Sequence, residues 1–134
     1  MIKVKLKPIV GGNATGEVVK VERLSFYGEV DPEKGILVAD GREVKDKILI
    51  IGMSRGSTVG SYIIYGLKYY GNAPKAIIMI KSEPIVITGA VIAGIPLYEA
   101  LPREVFDMLS DGDEVEVDEQ GNLIIKKASR LKER

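Results

Sequence analysis

The amino-acid sequence predicts a mixed α/β (α+β) domain, with one βαβ unit embedded in an otherwise β-rich chain. Short apolar runs separated by turn residues fill the first half, as at residues 2–7 and 17–21, and such runs are typical of strands. A helical pattern then lies between two buried runs at residues 48–51 and 76–80. Because parallel strands are joined by a crossover connection, usually a helix, this order predicts a right-handed βαβ unit.

The helix of that unit is predicted between residue 58 and Gly71. Gly71 is suited to the left-handed position that ends a helix, and Pro74 follows it. Tyr65 and Tyr69 fall away from the apolar face and are expected at an interface. The residues that recur with a helical period, and are therefore predicted to face the core, are Val59, Tyr62, Ile63, Gly66, Leu67 and Tyr70.

The remaining pattern predicts further strands and one short helix. A proline starts the predicted helix at residues 102–109. The apolar stretch at residues 85–97 is expected to be mostly core, although its glycines also fit a cavity wall or a docking surface. The other predicted strands are residues 36–39, residues 85–87, and a closing hairpin of residues 114–118 and 123–127.

The composition limits the chemistry that this chain can perform. With 134 residues, of which 46% are hydrophobic, residues 1–134 are expected to form a single domain. The chain has no cysteine and no histidine, which excludes thiolate and imidazole metal ligands, cysteine nucleophiles and histidine acid/base catalysis. A chain with one anion site and no such base resembles half of an active site.

Charge is balanced overall but unevenly distributed. Lys and Arg total 19, as do Asp and Glu, yet the last nine residues hold five basic side chains and one acidic one. Residues 126–134 are therefore expected to be a flexible basic tail. The rest of the chain is mildly acidic, which argues against nucleic acid as a partner.

The sequence also bears on location. Residues 1–7 alternate apolar and basic side chains and lack the apolar core of a signal peptide. The apolar stretch at residues 85–97 is too short for a bilayer and contains Gly89, Gly94 and Pro96. We therefore expect a cytoplasmic protein without a membrane partner.

Polar chemistry is concentrated in residues 52–61, with the sequence GMSRGSTVGS, between the first strand and the helix of the βαβ unit. Its glycines permit close backbone approach, its hydroxyls and Arg55 can bind an anion, and the helix start is expected to offer unpaired N–H groups. The loop lacks the Gly-Lys-Ser/Thr ending of a nucleotide-binding P-loop. The alternatives are a capped helix start of closely packed small residues, and a surface ion pair for Arg55.

Four segments together resemble the aconitase X swivel-domain family. They are GGNATG at residues 11–16, GEVDP at 28–32, RGSTVGS at 55–61 and EPIVITGA at 83–90. The resemblance covers nearly the whole chain, and the combination of four segments in this order is specific. It implies a swivelling β/β/α domain.

The resemblance also implies an activity. Archaeal members of the family pair with a large subunit that carries a [4Fe–4S] cluster. Such a hydro-lyase dehydrates (R)-5-phosphomevalonate, a small phosphorylated carboxylic acid, to trans-anhydromevalonate 5-phosphate in the mevalonate route to isoprenoids. This chain would supply a serine as the proton-abstracting base, with Ser61 favoured over Ser57. The substrate would be bound by Arg55, Gly56, Thr58 and Gly60.

The sequence leaves one alternative function open. The same loop at residues 55–61 could belong to a non-catalytic module that binds a small anion or a partner. The two functions differ in whether a cluster-bearing subunit is needed.

Overall fold

A computed structural model describes residues 2–127 of the chain. Its strands are β1 (Ile2–Lys5), β2 (Lys7–Val10), β3 (Ala14–Leu24), β4 (Val30–Asp31), β5 (Ile36–Leu37), β6 (Ile48–Ser54), β7 (Ala76–Met79), β8 (Leu97–Glu99), β9 (Glu114–Val117) and β10 (Asn122–Lys127). Its helices are a single turn α1 (Phe26–Glu29), α2 (Val59–Tyr69), α3 (Pro84–Ala93) and α4 (Arg103–Met108).

Eight of the strands form one sheet in the order β1-β10-β9-β3-β6-β7-β8-β2. The central strands β3, β6, β7 and β8 are parallel, and the flanking pairs are antiparallel. Two crossover helices connect the parallel strands, α2 between β6 and β7 and α3 between β7 and β8. The short strands β4 and β5 pair only with each other.

The two ends of this sheet are held together by the chain itself. Strands β1 and β2 lie at opposite ends of the strand order, yet only Leu6 separates them in sequence. The buried Leu6 donates its N–H to the carbonyl oxygen of Gly121 at 2.7 Å, in the turn before β10. The sheet must therefore curl on itself so that its first and last strands meet.

Each face of the curled sheet carries its own hydrophobic cluster. Along β6, Ile48 and Ile50 belong to one cluster, and Leu49 and Ile51 belong to the other. The first cluster includes side chains from α4 and from β9 and β10, and the second lies beneath α2 and α3. A strand buried on both faces reads as a continuous apolar run, which is why residues 48–51 show no alternation.

Helices α2 and α3 approach closely because each presents a glycine to an isoleucine of the other. A Cβ added at Gly60 of α2 would lie 3.2 Å from Cγ2 of Ile85, and one added at Gly89 of α3 would lie 2.7 Å from Cδ1 and 2.9 Å from Cβ of Ile64. Gly60 and Ile64 are one turn apart on α2, as are Ile85 and Gly89 on α3. The reciprocal contact therefore fixes the register between the two helices.

Several predictions from the sequence are confirmed. The fold class is mixed α/β, and β6, α2 and parallel β7 form the predicted βαβ unit. Gly71 has φ +76°, and the Asn72 N–H donates to the carbonyl oxygen of Leu67 at 2.7 Å, which is the expected helix ending. The closing hairpin forms as β9 and β10.

The predicted strand at residues 85–87 is wrong, because these residues lie in α3. Three consecutive β-branched residues favour a strand locally. Here Pro84 starts the helix, the Glu83 side chain caps it, and Gly94 ends it with φ +69°. A short apolar run does not distinguish a strand from a buried helix, and the flanking residues decide.

The predicted buried face of α2 is wrong in part: Leu67 is buried and Ile63 packs against the core, as predicted, but the tyrosines are not buried. Tyr62 is 75% exposed and Tyr70 is 49% exposed, whereas the buried residues of the helix are Gly60, Ile64 and Leu67. Glycine has no side chain and contributes nothing to a hydrophobic pattern. The pattern of the larger side chains therefore did not identify the face on which Gly60 is buried. The helix consequently carries exposed tyrosines, Tyr65 and Tyr69 among them.

The end of the chain is described only in part. Residues 126 and 127 complete β10, and the rest of the predicted basic tail, residues 128–134, lies outside the described residues. Within residues 2–127, no helix is both long enough and apolar enough to cross a membrane.

The helix contact leads to a stability prediction. Gly89→Val should lower the free energy of unfolding by about 1–3 kcal/mol, because the added methyl groups overlap Ile64. Urea unfolding measures this change. Val91→Thr, in the same helix but at a position that is 60% exposed, should alter stability by about 0.5 kcal/mol or less. Equal stability of the two variants would contradict the packing described.

Candidate active site

The loop with the candidate site residues lies at the carboxyl ends of parallel strands. Strand β6 ends at Ser54, which pairs with Leu24 at the end of β3, and the Arg55 N–H donates to the Leu24 carbonyl oxygen at 3.2 Å. The segment after β7 reaches the same edge. This is the edge at which open α/β sheets commonly bind ligands.

The N–H groups at the start of α2 are not available to a ligand, contrary to the expectation from the sequence. The Val59 N–H donates to Ser57 Oγ at 3.2 Å, the Gly60 N–H donates to the Ser57 carbonyl oxygen at 2.8 Å, and the Ser61 N–H donates to the Thr58 carbonyl oxygen at 3.3 Å. The bonds of Gly60 and Ser61 reach back three residues, as in a 3₁₀ turn, so the donors at the start of the helix are satisfied within the loop.

Unpaired backbone N–H groups occur in the residues just before α2. Within the described residues, the N–H groups of Gly56, Ser57 and Thr58 donate to no acceptor. The exposed Arg55 guanidinium likewise has no hydrogen-bond or ion-pair partner among residues 2–127. Three successive N–H groups beside an unpaired guanidinium form a suitable site for a phosphate or a carboxylate.

The two candidate serines have different surroundings. Ser61 lies in the first turn of α2, and its Oγ donates to the carbonyl oxygen of Ile85 at 2.9 Å. Ser57 lies before the helix, where its Oγ accepts the N–H of Val59. Ser57 therefore bonds to the backbone of the first residue of α2, while Ser61 joins α2 to α3.

The two loop glycines named as candidate ligands both pack against Ile85. A Cβ added at Gly56 would lie 3.1 Å from Cδ1 of Ile85, and one added at Gly60 would lie 3.2 Å from its Cγ2. Gly60 is buried and Gly56 is exposed. The absence of a side chain at these two positions thus lets α3 approach the loop closely.

A groove of about 610 Å³ opens beside the loop, between α2 and α3. Its wall is mostly apolar, with hydroxyl groups at the end nearest the loop. The groove is lined by Thr58, Ser61, Tyr62, Tyr65, Pro84, Ile85, Thr88 and Ile92. The apolar segment at residues 85–97 is thus divided, with Val86, Ala90 and Ala93 in the core and Ile92 59% exposed at the groove.

Two carboxylates at this edge of the sheet accept hydrogen bonds from serine residues. Glu83 accepts hydrogen bonds from Ser54 Oγ and from the first turn of α3. Glu99, at the end of β8, accepts hydrogen bonds from the N–H and Oγ of Ser82, which lower the pKa of its carboxyl group below the ordinary value. For Glu83 the available signal was a carboxylate directly before a proline and an apolar run.

Two exposed cations at the same edge were not among the sequence-predicted site residues. Arg23 lies beside Met53 near the end of β3, and Lys81 follows the end of β7 by two residues. For Lys81 the available signal was a charged residue just after a buried parallel strand, whereas Arg23 lies within β3 and gave no such signal.

The donor set of the described residues does not fit an iron–sulfur cluster. Such a cluster is held mainly by cysteine thiolates, and the chain has no cysteine. Residues 2–127 also contain no group of three or more His, Cys, Asp or Glu side chains that converge on one point. The described residues therefore do not fit such a cluster.

Known proteins with similar sequences show the family of this chain. Residues 3–126 match the aconitase X swivel domain. A protein of Aeropyrum pernix named phosphomevalonate dehydratase small subunit is 51% identical to this chain, over 90% of the chain and 91% of the relative. A protein of Methanosarcina acetivorans with the same name is 43% identical, over 98% of both chains.

Solved structures agree with that match. The crystal structure of Thermococcus kodakaraensis aconitase X in its holo-form superposes with a TM-score of 0.88 at 41% identity, covering 95% of this chain and 100% of the other. A UPF0107 protein solved by solution NMR superposes with a TM-score of 0.85 at 37% identity, covering 94% of this chain and 100% of the other. The chain belongs to the aconitase X swivel-domain family.

Proposed function

We propose that this chain is the small subunit of a hydro-lyase that dehydrates (R)-5-phosphomevalonate to trans-anhydromevalonate 5-phosphate. The reaction belongs to the mevalonate route to isoprenoids and takes place in the cytoplasm. The observation that carries the proposal is that the Ser61 hydroxyl and an unpaired anion-binding loop lie together at one edge of a domain whose relatives are named as subunits of this dehydratase.

In this reaction Ser61 acts as the base. Its alkoxide takes a proton from the carbon adjacent to the one that bears the leaving hydroxyl, so that a C–H and a C–O bond break as the double bond forms. The hydroxide would leave to the Lewis-acidic cluster of the partner subunit. The serine proton and the hydroxide together are released as water, which returns the serine to its starting form. The hydrogen bond to the Ile85 carbonyl oxygen stabilises the neutral hydroxyl, and this bond must be lost when the alkoxide forms. The positive end of α2 and the charge of Arg55 then stabilise the alkoxide.

Arg55 and the N–H groups of Gly56, Ser57 and Thr58 bind an anionic group of the substrate. The substrate carries two such groups, a phosphate and a carboxylate, and either matches the planar guanidinium and the successive N–H donors. Gly60 contributes to the shape of the loop through its contact with Ile85, and Ser57 through the hydrogen bond that its Oγ accepts from the Val59 N–H.

The [4Fe–4S] cluster of the dehydratase is carried by the large partner subunit. This assignment is supported by the lack of cysteine in this chain and by the absence of converging carboxylates within residues 2–127. The word "small" in the relatives' names also implies a larger companion.

The groove between α2 and α3 receives apolar side chains of that large subunit. The wall of the groove is too apolar to hold by itself a substrate with a phosphate and a carboxylate, and it ends at Ser61 and Thr58. A partner seated on Tyr62, Tyr65 and Ile92 therefore excludes water from the place where the alkoxide forms. Exclusion of water strengthens the interactions that stabilise the alkoxide.

The proposed function is tested by reconstitution. The isolated chain should fold but show no dehydratase activity, and anaerobic addition of a cluster-bearing large subunit should produce turnover of (R)-5-phosphomevalonate. Mass spectrometry of the product measures it. Turnover by this chain alone after removal of metal would contradict the division of the site, and an inactive but correctly assembled complex would favour a non-catalytic module.

The roles of the two serines predict different kinetics in the complex. Ser61→Ala should lower kcat by about 10²- to 10⁴-fold, because general base catalysis contributes that much, and should leave KM and assembly nearly unchanged. Ser57→Ala should chiefly raise KM, because the loop loses the hydrogen bond from the Val59 N–H to Ser57 Oγ. Ser110→Ala, in the loop before β9, is the control and should behave as the wild type. Normal kcat in Ser61→Ala together with loss of activity in Ser57→Ala would reverse the assignment.

The anion-binding role of Arg55 predicts a change in substrate affinity. Arg55→Gln should raise KM about tenfold, since a hydrogen bond to a charged group is worth about 1.5–3 kcal/mol. Steady-state kinetics of the complex measure it. The matched control is Arg103→Gln, because Arg103 is already paired with Glu22 at 2.5 Å and with Asp107 at 3.1 Å. The same KM for both variants would argue against binding of substrate by Arg55.

The proposed docking surface predicts a pattern of hydrogen exchange. The loop at residues 55–61 and the segment at residues 88–94 should both gain protection when the large subunit binds, because both border the groove. Exchange followed by mass spectrometry, with and without the partner, provides the measurement. Unchanged exchange in both segments would show that the partner docks elsewhere.

A further inference from the structure

Glu83 makes three hydrogen bonds that join β6 to α3. Its Oε1 accepts the hydroxyl of Ser54 at 3.0 Å and the N–H of Val86 at 3.0 Å, and its Oε2 accepts the N–H of Ile85 at 3.1 Å. The residue is half-buried and stands directly before the helix with extended backbone angles. One carboxylate therefore fixes the start of α3 relative to the last residue of β6.

The residue type at this position is unusual for a helix cap. Ser, Thr, Asp and Asn are the preferred residues, because their short side chains reach the first free N–H groups. Glutamate is longer by one methylene group than aspartate. The extra length lets the same carboxylate cap α3 and also accept the hydroxyl of Ser54 on the neighbouring strand.

The turn that Glu83 holds carries Ile85, which contacts the site in two ways. The Ile85 carbonyl oxygen accepts the Ser61 hydroxyl at 2.9 Å. The Ile85 side chain lies against Gly56 and Gly60, where added Cβ atoms would be 3.1 Å and 3.2 Å from it. A shift of the first turn of α3 would therefore move both the hydrogen-bond acceptor of Ser61 and the wall against which the loop packs.

We infer that Glu83 is a positioning residue, which sets the Ser61 hydroxyl and the loop at residues 56–60 through Ile85. Glu83 contacts neither the substrate nor the transferred proton. Its effect on turnover rests on the proposed function, whereas its effect on the Ser61 side chain does not.

The experiment compares Glu83→Asp with Glu99→Asp. Aspartate is a better helix cap than glutamate, so a residue that only capped α3 would tolerate this change. Aspartate at residue 83 is too short to cap the helix and reach Ser54 together, and α3 should shift. Glu99 is the matched control, because it too is half-buried and accepts a serine hydroxyl and N–H, from Ser82, but makes no hydrogen bond to the first turn of α3 or to the loop.

Two readouts are made. In the isolated chain, three-bond Hα–Hβ couplings report the Ser61 rotamer, which should be single in the wild type and in Glu99→Asp and averaged in Glu83→Asp. In the complex, Glu83→Asp should lower kcat about tenfold or more with KM within about twofold, and Glu99→Asp should leave both unchanged. A fixed Ser61 rotamer and normal kcat in Glu83→Asp would overturn the inference.

Ser54→Ala provides a second variant in case Glu83→Asp unfolds the chain. It removes the link to β6 and leaves the cap on Ile85 and Val86 intact. An averaged Ser61 rotamer with an unchanged melting temperature would support the inference, and a fixed rotamer would overturn it. If the wild-type complex itself has no dehydratase activity, the proposed function fails, and the couplings still decide the role of Glu83.

Discussion

The close contact between α2 and α3 is the constraint on which the candidate site depends. Gly60 faces Ile85 and Gly89 faces Ile64, so each helix provides the space that a side chain of the other fills. Only glycine at both positions allows this spacing, because a Cβ at either would meet a branched side chain. The contact brings Ser61 within hydrogen-bonding distance of Ile85.

The same contact determines the form of the surface beside the site. Because α2 turns Gly60, Ile64 and Leu67 to the core, its tyrosines are left outside, and the groove between the helices is lined by apolar side chains. A contiguous exposed apolar surface is typical of an interaction site. The hydroxyl of Ser61 and the unpaired donors of the loop stand at the end of this groove, where a docked subunit would enclose them.

Within the loop, Ser57 and Ser61 differ in the hydrogen bonds that they make. Ser57 and Ser61 have the same functional group and stand four residues apart. The Ser57 oxygen accepts a backbone N–H and so stabilises the start of the helix. The Ser61 hydroxyl donates to the carbonyl oxygen of Ile85 on α3, and the start of α3 is held by the carboxylate of Glu83. The second arrangement couples the serine to the packing of the domain.

The sequence by itself determined the fold class, the βαβ unit, the helix ending at Gly71 and the loop that carries the polar groups, because these follow from local periodicity and from glycine and proline preferences. It also excluded cysteine and histidine chemistry. Only the tertiary structure decided that residues 85–87 are helical, which face of α2 is buried, that Ile85 contacts Ser61, and that Glu83 bonds to Ser54. These features depend on contacts between residues distant in sequence, where a glycine carries no hydrophobic signal and a β-branched run fits either a strand or a buried helix.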